Sequence, residues 1–391
     1  MSNCEIFRVG LLTYHFSDNY GALYQAYSLR EWFRQRGADA EFINYHPAYV
    51  EDGGPFDRPW KPSLWRKNAT ILYMRLSQLQ RGLFGDKAMQ AGFQAFRRDH
   101  LGLRRPAFSS AEELLPVFAD YDMLVCGSDQ IWNPSMQRGL DPVYFLDIRG
   151  AERKHKLAYA PSFGRLEIEA EHHAELLRLL RGLSGVSVRE ESGRSIIART
   201  GFPAEAVQVV PDPTILLGQF DNLLEGNLLD EDVIFCYALR TDAGVREVAE
   251  VASQALNAPV VSARNNRQRW RDIGTGMAPT PVEWLRQLAR ARCVISNSFH
   301  GVALSIVLNR PFLAVALQGN KEGLNARVLN LLDITGLLDR FITENRIAEA
   351  KACLSKPIDW HSVNTRLATS RRAGEAFLEM HIKAARETRH E

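Results

Sequence analysis

Short apolar runs alternate along most of this chain with longer stretches in which apolar residues fall three and four apart. Residues 9–13 are an apolar run, and a polar turn follows at Ser17-Asp18-Asn19-Tyr20-Gly21. Ala22, Ala26, Leu29 and Phe33 then recur at helical spacing up to Gly37. A second apolar run at 40–45 completes a βαβ unit, whose strands are parallel and whose crossover is right-handed. The pattern predicts further strands at 123–126, 157–160, 185–188 and 207–210, with helices at 111–118 and 168–181. After Pro211-Asp212-Pro213 and a polar stretch at 218–232, a second series begins. Its strands are predicted at 234–238, 259–262, 293–296 and 312–315, and its helices at 243–255, 282–290, 301–308 and 324–332. Two such series predict an α/β protein of two Rossmann-like lobes facing a cleft, residues 1–217 and 218–340, with ligands outside the carboxyl ends of the strands. Residues 341–391 are expected to pack back across the lobes, and 362–391 read as one charged helix marked by Leu367, Phe377 and Met380.

One segment departs from this alternation. From Arg58 to Arg105 the pattern is helical, and eleven Lys and Arg stand against only Asp86 and Asp99, with Trp60, Trp65, Tyr73, Phe84 and Phe93 among them. This basic helical insert suits a solvated face, an anionic membrane surface, or the diphosphate of a lipid-linked acceptor. Over the whole chain the net charge is only +2 across 391 residues, which gives no sign of a nucleic-acid binder. Hydrophobic residues at 46% and charged residues at 24% match soluble globular proteins, and the length suits two domains. The five cysteines are scattered without a CxxC pair, against both a disulfide framework and a zinc site; Cys126, Cys236 and Cys293 fall in predicted strands and read as buried small hydrophobes. No HExxH or grouped Asp and His marks a metal. The opening residues lack a basic stretch followed by an apolar one, and no run approaches the roughly 20 apolar residues of a spanning helix. A cytoplasmic protein is expected, free or peripheral at the inner face of the membrane; its oligomeric state is not defined by the sequence.

Four separated segments carry a family resemblance: Asp18-Asn19-Tyr20-Gly21-Ala22-Leu23, Cys126-Gly127-Ser128-Asp129-Gln130-Ile131-Trp132-Asn133, Ser187-Val188-Arg189-Glu190, and Ser298-Phe299-His300-Gly301. In this order and spacing they resemble the polysaccharide pyruvyltransferase family, over most of residues 9–340. The resemblance implies a fold like the two-lobed glycosyltransferases of the B type. It also implies transfer of pyruvate from phosphoenolpyruvate onto two hydroxyls of a sugar, in a polysaccharide or its lipid-linked precursor, forming a cyclic ketal and releasing phosphate. Phosphoenolpyruvate is then a co-substrate, and no separate cofactor or metal is expected.

A phosphate and a carboxylate call for cations, helix N-termini and backbone amides converging on a small dry pocket. His300 and Gly301 open a helix just after the strand at 293–296, with Ser298 in the turn, so an imidazole at this strand end can contact an anion and pass a proton. A lone histidine there could equally cap a helix or fill the core; the family motif points to the donor site. Arg189 follows the strand at 185–188 and could clamp phosphate or carboxylate, or pair with Glu190 or Glu191. Arg327, after Asn325 in a helix-opening segment, is a second anion candidate or an exposed loop-end arginine. Asp18, Asn19, Tyr20 and Gly21 lie between the first strand and helix, where they could line the acceptor side or simply cap the helix. Ser128 and Asp129 follow another strand; Asp129 could take a proton from a sugar hydroxyl, and Trp132 could offer its face to a sugar ring or belong to the core. Asp212, between two prolines at the crossing of the lobes, fits structure and function equally. The competing readings are a nucleotide-sugar glycosyltransferase on the same architecture and a non-catalytic glycan- or anion-binding module.

Overall fold

The computed structural model describes residues 6–51, 56, 58, 60–61, 65–103, 106–137, 139–226, 229–241, 243–264 and 272–388; Cys4, Arg104 and Arg105 and the side chains of Arg66, Lys67, Arg81 and Phe84 lie outside the described set. Its first sheet comprises β1 (Arg8–Leu12), β2 (Asp39–Phe42), β3 (Met123–Cys126), β4 (His155–Ala158), β5 (Gly185–Val188) and β6 (Val207–Val209), in the order β2-β1-β3-β4-β5-β6. The second comprises β7 (Glu231–Tyr237), β8 (Val260–Ala263), β9 (Thr275–Met277), β10 (Ala291–Ser296), β11 (Phe312–Val315) and β12 (Phe341–Ile342), in the order β12-β11-β10-β7-β8-β9. Every strand pair is parallel. The strands are apolar runs because both faces are covered by helices. Cys126, Cys236 and Cys293 sit within them, and burial pushes the thiols of Cys236 and Cys293 up to about 12.

Strand order reverses between β1 and β3 in the first lobe and between β7 and β10 in the second. At such a reversal, neighbouring crossovers leave in opposite directions and open a crevice at the carboxyl ends. The loop carrying Asp18 and Asn19 follows β1, the loop carrying Ser128 and Asp129 follows β3, and Ser298 follows β10. Both crevices therefore receive the motifs.

The lobes share one continuous hydrophobic core. Tyr20 stacks on Trp284 with ring centroids 5.1 Å apart, its hydroxyl donates to the Pro279 carbonyl at 2.7 Å, and Tyr24 donates to the Pro281 carbonyl at 2.7 Å. The insert contributes two helices, Trp65–Phe84 and Lys87–Asp99; the second, capped by Asp86, turns Phe93 toward Tyr20 and Phe96 toward Tyr24. The last helix, Trp360–Thr388, binds the first lobe through Arg36 to Glu375 at 2.9 Å and through Arg371 to the Ile215 carbonyl at 2.8 Å, while Arg366 lies against Gly336 of the second lobe. Its buried stripe holds Leu367 and Phe377; Met380, expected to mark it, faces solvent. Two other expectations shorten: the helix at 111–118 is one turn, Ala111–Leu114, and that at 168–181 becomes α-helical only from His173.

Candidate active site

β10 ends at Ser296, whose hydroxyl donates to the Tyr237 carbonyl at 2.6 Å and accepts from the Ser298 amide at 3.1 Å. Asn297 grips the neighbouring strand exit through the Leu239 amide and Arg240 carbonyl. These bonds fix the turn from which the helix Phe299–Val307 starts. Gly301 is demanded here, since a Cβ would come within 2.2 Å of the Ser296 hydroxyl. Ser298 thus shapes the turn through its backbone, and its side chain makes no capping bond. Across the lobes, the His300 side chain lies against Gly21 in the first helix, Tyr20–Gln35; a Cβ on Gly21 would stand 2.2 Å from Nδ1.

Asp212 joins the two lobes at this point. It is buried at the exit of β6, where Oδ1 accepts from the Thr214 amide at 3.0 Å and hydroxyl at 2.8 Å, capping the helix Pro213–Leu217. Its Oδ2 accepts from Arg189 Nη1 at 2.9 Å, stands 3.4 Å from the Ser128 hydroxyl, and lies 3.5 Å from His300 Nε2. Burial alone would raise the carboxyl's pKa, but His300 and Arg189 hold it well below the usual carboxylate range. Arg189 also donates from Nε to Glu190 at 3.2 Å. Burial disfavours its charge, yet Glu190, Asp212 and Asp129 outweigh that and raise its pKa.

Phe299 lies against two cations. The Arg189 guanidinium lies 4.5 Å from its ring centroid and that of Arg327 lies 5.9 Å away. Burial, then the proximity of Arg189, pulls Arg327 down to about 10. Only 4% of Arg189 and 6% each of Arg327 and His300 are exposed, and Arg189 Nη2, Arg327 Nε and His300 Nε2 have no hydrogen-bond partner. Buried donors are normally satisfied, so the two guanidinium nitrogens require an explanation, whereas His300 Nε2 has the Asp212 carboxylate 3.5 Å away.

The other expected residues divide. Ser128 knits the loop after β3 to the loop after β1: its amide donates to Gln25 at 3.1 Å and its carbonyl accepts from Thr13 at 3.0 Å. Asp129, at φ +66°, remains half-buried with its charge felt by both arginines. Trp132, a candidate sugar platform, belongs instead to the core: its indole N–H donates to the Tyr144 carbonyl at 3.0 Å and its ring stacks on Phe145 at 4.7 Å. Tyr20 is a clasp between lobes, Asp18 is paired with Arg97 at 2.7 Å, and Asn19 caps the first helix through the Ala22 amide at 3.3 Å. Asn325, expected on the donor side, has its amide bonded to both backbone groups of Leu317. Arg189 already uses Nε on Glu190 and Nη1 on Asp212, which leaves Nη2 as its unpartnered nitrogen, and Arg327 is buried, not at a loop's exposed end. Asp212, Glu190, Phe299 and Gln25 were not placed in the site by sequence. The signal for Asp212 was available: it caps a helix at the carboxyl end of β6. Among the described residues, no three His, Cys, Asp or Glu side chains are grouped to hold a metal, and no helix is long and apolar enough to cross a membrane.

Two parallel-stranded lobes closing over this polar cluster define the glycosyltransferase-B type of fold. The structure is similar to UDP-N-acetylglucosamine 2-epimerase from Rickettsia bellii (TM-score 0.54, 10% identity, 98% of each chain covered). It is also similar to the UDP-GlcNAc 2-epimerase of Methanocaldococcus jannaschii (0.50, 12%, 96% of this chain and 99% of that one) and to S. aureus MnaA (0.50, 9%, 98% and 97%). At these identities the likeness concerns fold alone, and no curated protein matches the sequence significantly. The family model for polysaccharide pyruvyl transferases matches residues 19–319, and the chain belongs to that family.

Proposed function

We propose that the protein transfers pyruvate from phosphoenolpyruvate onto two hydroxyls of a sugar, in a polysaccharide or its lipid-linked precursor. The observation that carries this reading is the pair of unpartnered buried guanidinium nitrogens, Arg189 Nη2 and Arg327 Nε, gathered around Phe299, with His300 Nε2 beside them at 3.5 Å from Asp212. A small, multiply charged anion would satisfy them and separate the two guanidinium charges. Three carboxylates, Asp212, Glu190 and Asp129, face the two guanidinium groups, so a proton on His300 balances the site and the unpartnered N–H groups draw the anion.

In this reading, His300 gives the proton from Nε2 to the methylene carbon of phosphoenolpyruvate. The C=C π pair forms the new C–H bond and leaves cationic character at the adjacent carbon, which the first sugar hydroxyl attacks. Asp129 accepts that hydroxyl's proton, through which His300 is recharged. The second hydroxyl then forms its bond to the same carbon as the phosphate departs with the second proton. Asp212 holds the imidazole and Arg189 in register across the lobes, which is a positioning role.

Thermal stabilisation by phosphoenolpyruvate, followed by phosphate release with a panel of glycan acceptors, tests the reading. Stabilisation should shrink in Arg327→Met, and turnover should fall about 10²–10⁴-fold in His300→Ala. Stabilisation by nucleotide sugars and not by phosphoenolpyruvate would replace the reading with a glycosyltransferase. Anion binding without phosphate release from any acceptor would replace it with a binding module.

A further inference from the structure

The helix Trp65–Phe84 wears its apolar stripe on the outside. A surface helix normally turns such a stripe to the core. Here the inward positions include Asn68 and Ile71, both buried, whereas Trp65, Leu72, Tyr73, Leu76 and Leu79 are 61%, 50%, 51%, 56% and 63% exposed. At 100° per residue these five fall within about 120° of one another around the helix axis, forming one continuous strip about four turns long. Trp60, just before the helix, is 75% exposed. Singly exposed leucines need no explanation, but an aligned set of large apolar side chains marks an interaction surface.

The charge around this strip selects its partner. From Arg58 to Gly85 the sequence contains six Lys and Arg and no acidic residue. Arg58 and Lys61 are exposed in the structure, and Arg75 lies over the Phe56 ring at 4.8 Å. A symmetric contact with a second copy would set this basic segment against itself with no carboxylate of its own to answer it. An anionic lipid surface answers both features, taking leucines into the acyl boundary, Trp and Tyr at the headgroup level, and cations at the phosphates. We infer that this helix seats the protein on anionic membranes.

The placement gives the contact a purpose. The insert leaves the first sheet beyond β2 and rejoins it where Tyr45 pairs with Phe108, at the carboxyl end of that sheet. Arg97 of the insert reaches Asp18 and the His15 carbonyl in the loop after β1. The membrane-facing strip is therefore carried on the same end of the lobe as Asp129, the proposed acceptor side. An acceptor anchored by a lipid would meet the site from the surface on which the protein rests. The lipid contact itself does not depend on which donor is used.

Sedimentation of the full chain with phosphatidylcholine vesicles, with and without phosphatidylglycerol, tests this directly and needs no substrate. Binding is expected only with phosphatidylglycerol. It should weaken on the order of 100-fold in Leu72→Gln/Leu76→Gln/Leu79→Gln, since three half-exposed leucines lose their transfer into the lipid boundary. Arg58→Glu/Lys61→Glu should weaken it too, by about 10-fold or more, with an unchanged thermal transition certifying the fold. Failure of the parent protein to sediment, or full binding by the triple variant, overturns the inference. A parent dimer in light scattering that the triple variant dissociates would show a second copy on the strip and overturn it equally.

Discussion

Replacing Gly21 by Ala should cripple the site without removing any group that performs chemistry. The new Cβ would lie 2.2 Å from His300 Nδ1 and 2.6 Å from Cγ, where ordinary contact begins near 3.4 Å. The imidazole must therefore retreat by about 1.2 Å, the difference between 3.4 and 2.2. Its Nε2 then leaves its place 3.5 Å from Asp212 and shifts relative to both arginines. A misplacement of about 1 Å costs on the order of 10²-fold in rate. Stability should change much less, because overpacking costs about 1–3 kcal/mol while Ala in place of Gly in a helix returns about 1 kcal/mol. The assay pairs thermal unfolding with phosphate release from phosphoenolpyruvate in the presence of an acceptor. A near-parental melting curve with a hundredfold loss of turnover is the expected signature. Parental turnover in Gly21→Ala would refute the placement of His300, and a collapse of the melting transition would assign Gly21 to folding alone.

Asp212→Asn keeps the cap on Thr214 but presents an N–H to Arg189 Nη1 in place of Oδ2; with one buried ionic partner gone, stability should fall by about 3 kcal/mol, and a denaturant titration showing no change would contradict the proposed hub. Arg327→Met should leave the unliganded protein as stable or more so, because a like charge is removed beside Arg189, while phosphoenolpyruvate affinity falls about 10–100-fold by calorimetry; unchanged affinity would remove Arg327 from the donor site. Stability should also depend on pH through two histidines. Burial pulls both His15 and His381 down to about 4, so the folded chain resists protons that the unfolded chain accepts near 6.5. Their contribution is whole above that value and is lost as pH falls toward 4, with His15 alone worth up to about 3 kcal/mol. A melting temperature flat between pH 7 and 4.5 would speak against it.

The two-lobed fold was readable because strands buried on both faces appear as unbroken apolar runs, and the helices between them show their period. β9 and β12 were not, since edge strands of three and two residues contain no pattern to detect. Within the site, placement at strand ends located His300, Arg189 and Asp129, but it could not reveal what each side chain touches. Trp132 follows β3 as a platform would, and only Phe145 and Tyr144, supplied by a separate segment, decide that it faces inward. Arg327 looks like a loop-end cation in sequence; its burial beside Phe299 and within reach of Arg189 depends on residues distant from it in the chain. Asp212 was ambiguous for the same reason, because one carboxylate both caps a helix and answers cations that lie 23 residues behind it and on another lobe.

The clasp of Tyr20 and Tyr24 on the segment around Trp284 bears on how such proteins can be recombined. Chimeras that pair the acceptor half of one relative with the donor half of another assume that the halves are separable modules. Here the seam between them is core: splitting it would strip Trp284 of Tyr20 and Tyr24 and Tyr237 of Tyr20, and leave the Pro279 and Pro281 carbonyls without their donors. A productive exchange would have to carry the helix Lys87–Asp99 and the segment around Pro279 to Trp284 together, as one unit of inheritance that straddles the boundary between the sheets.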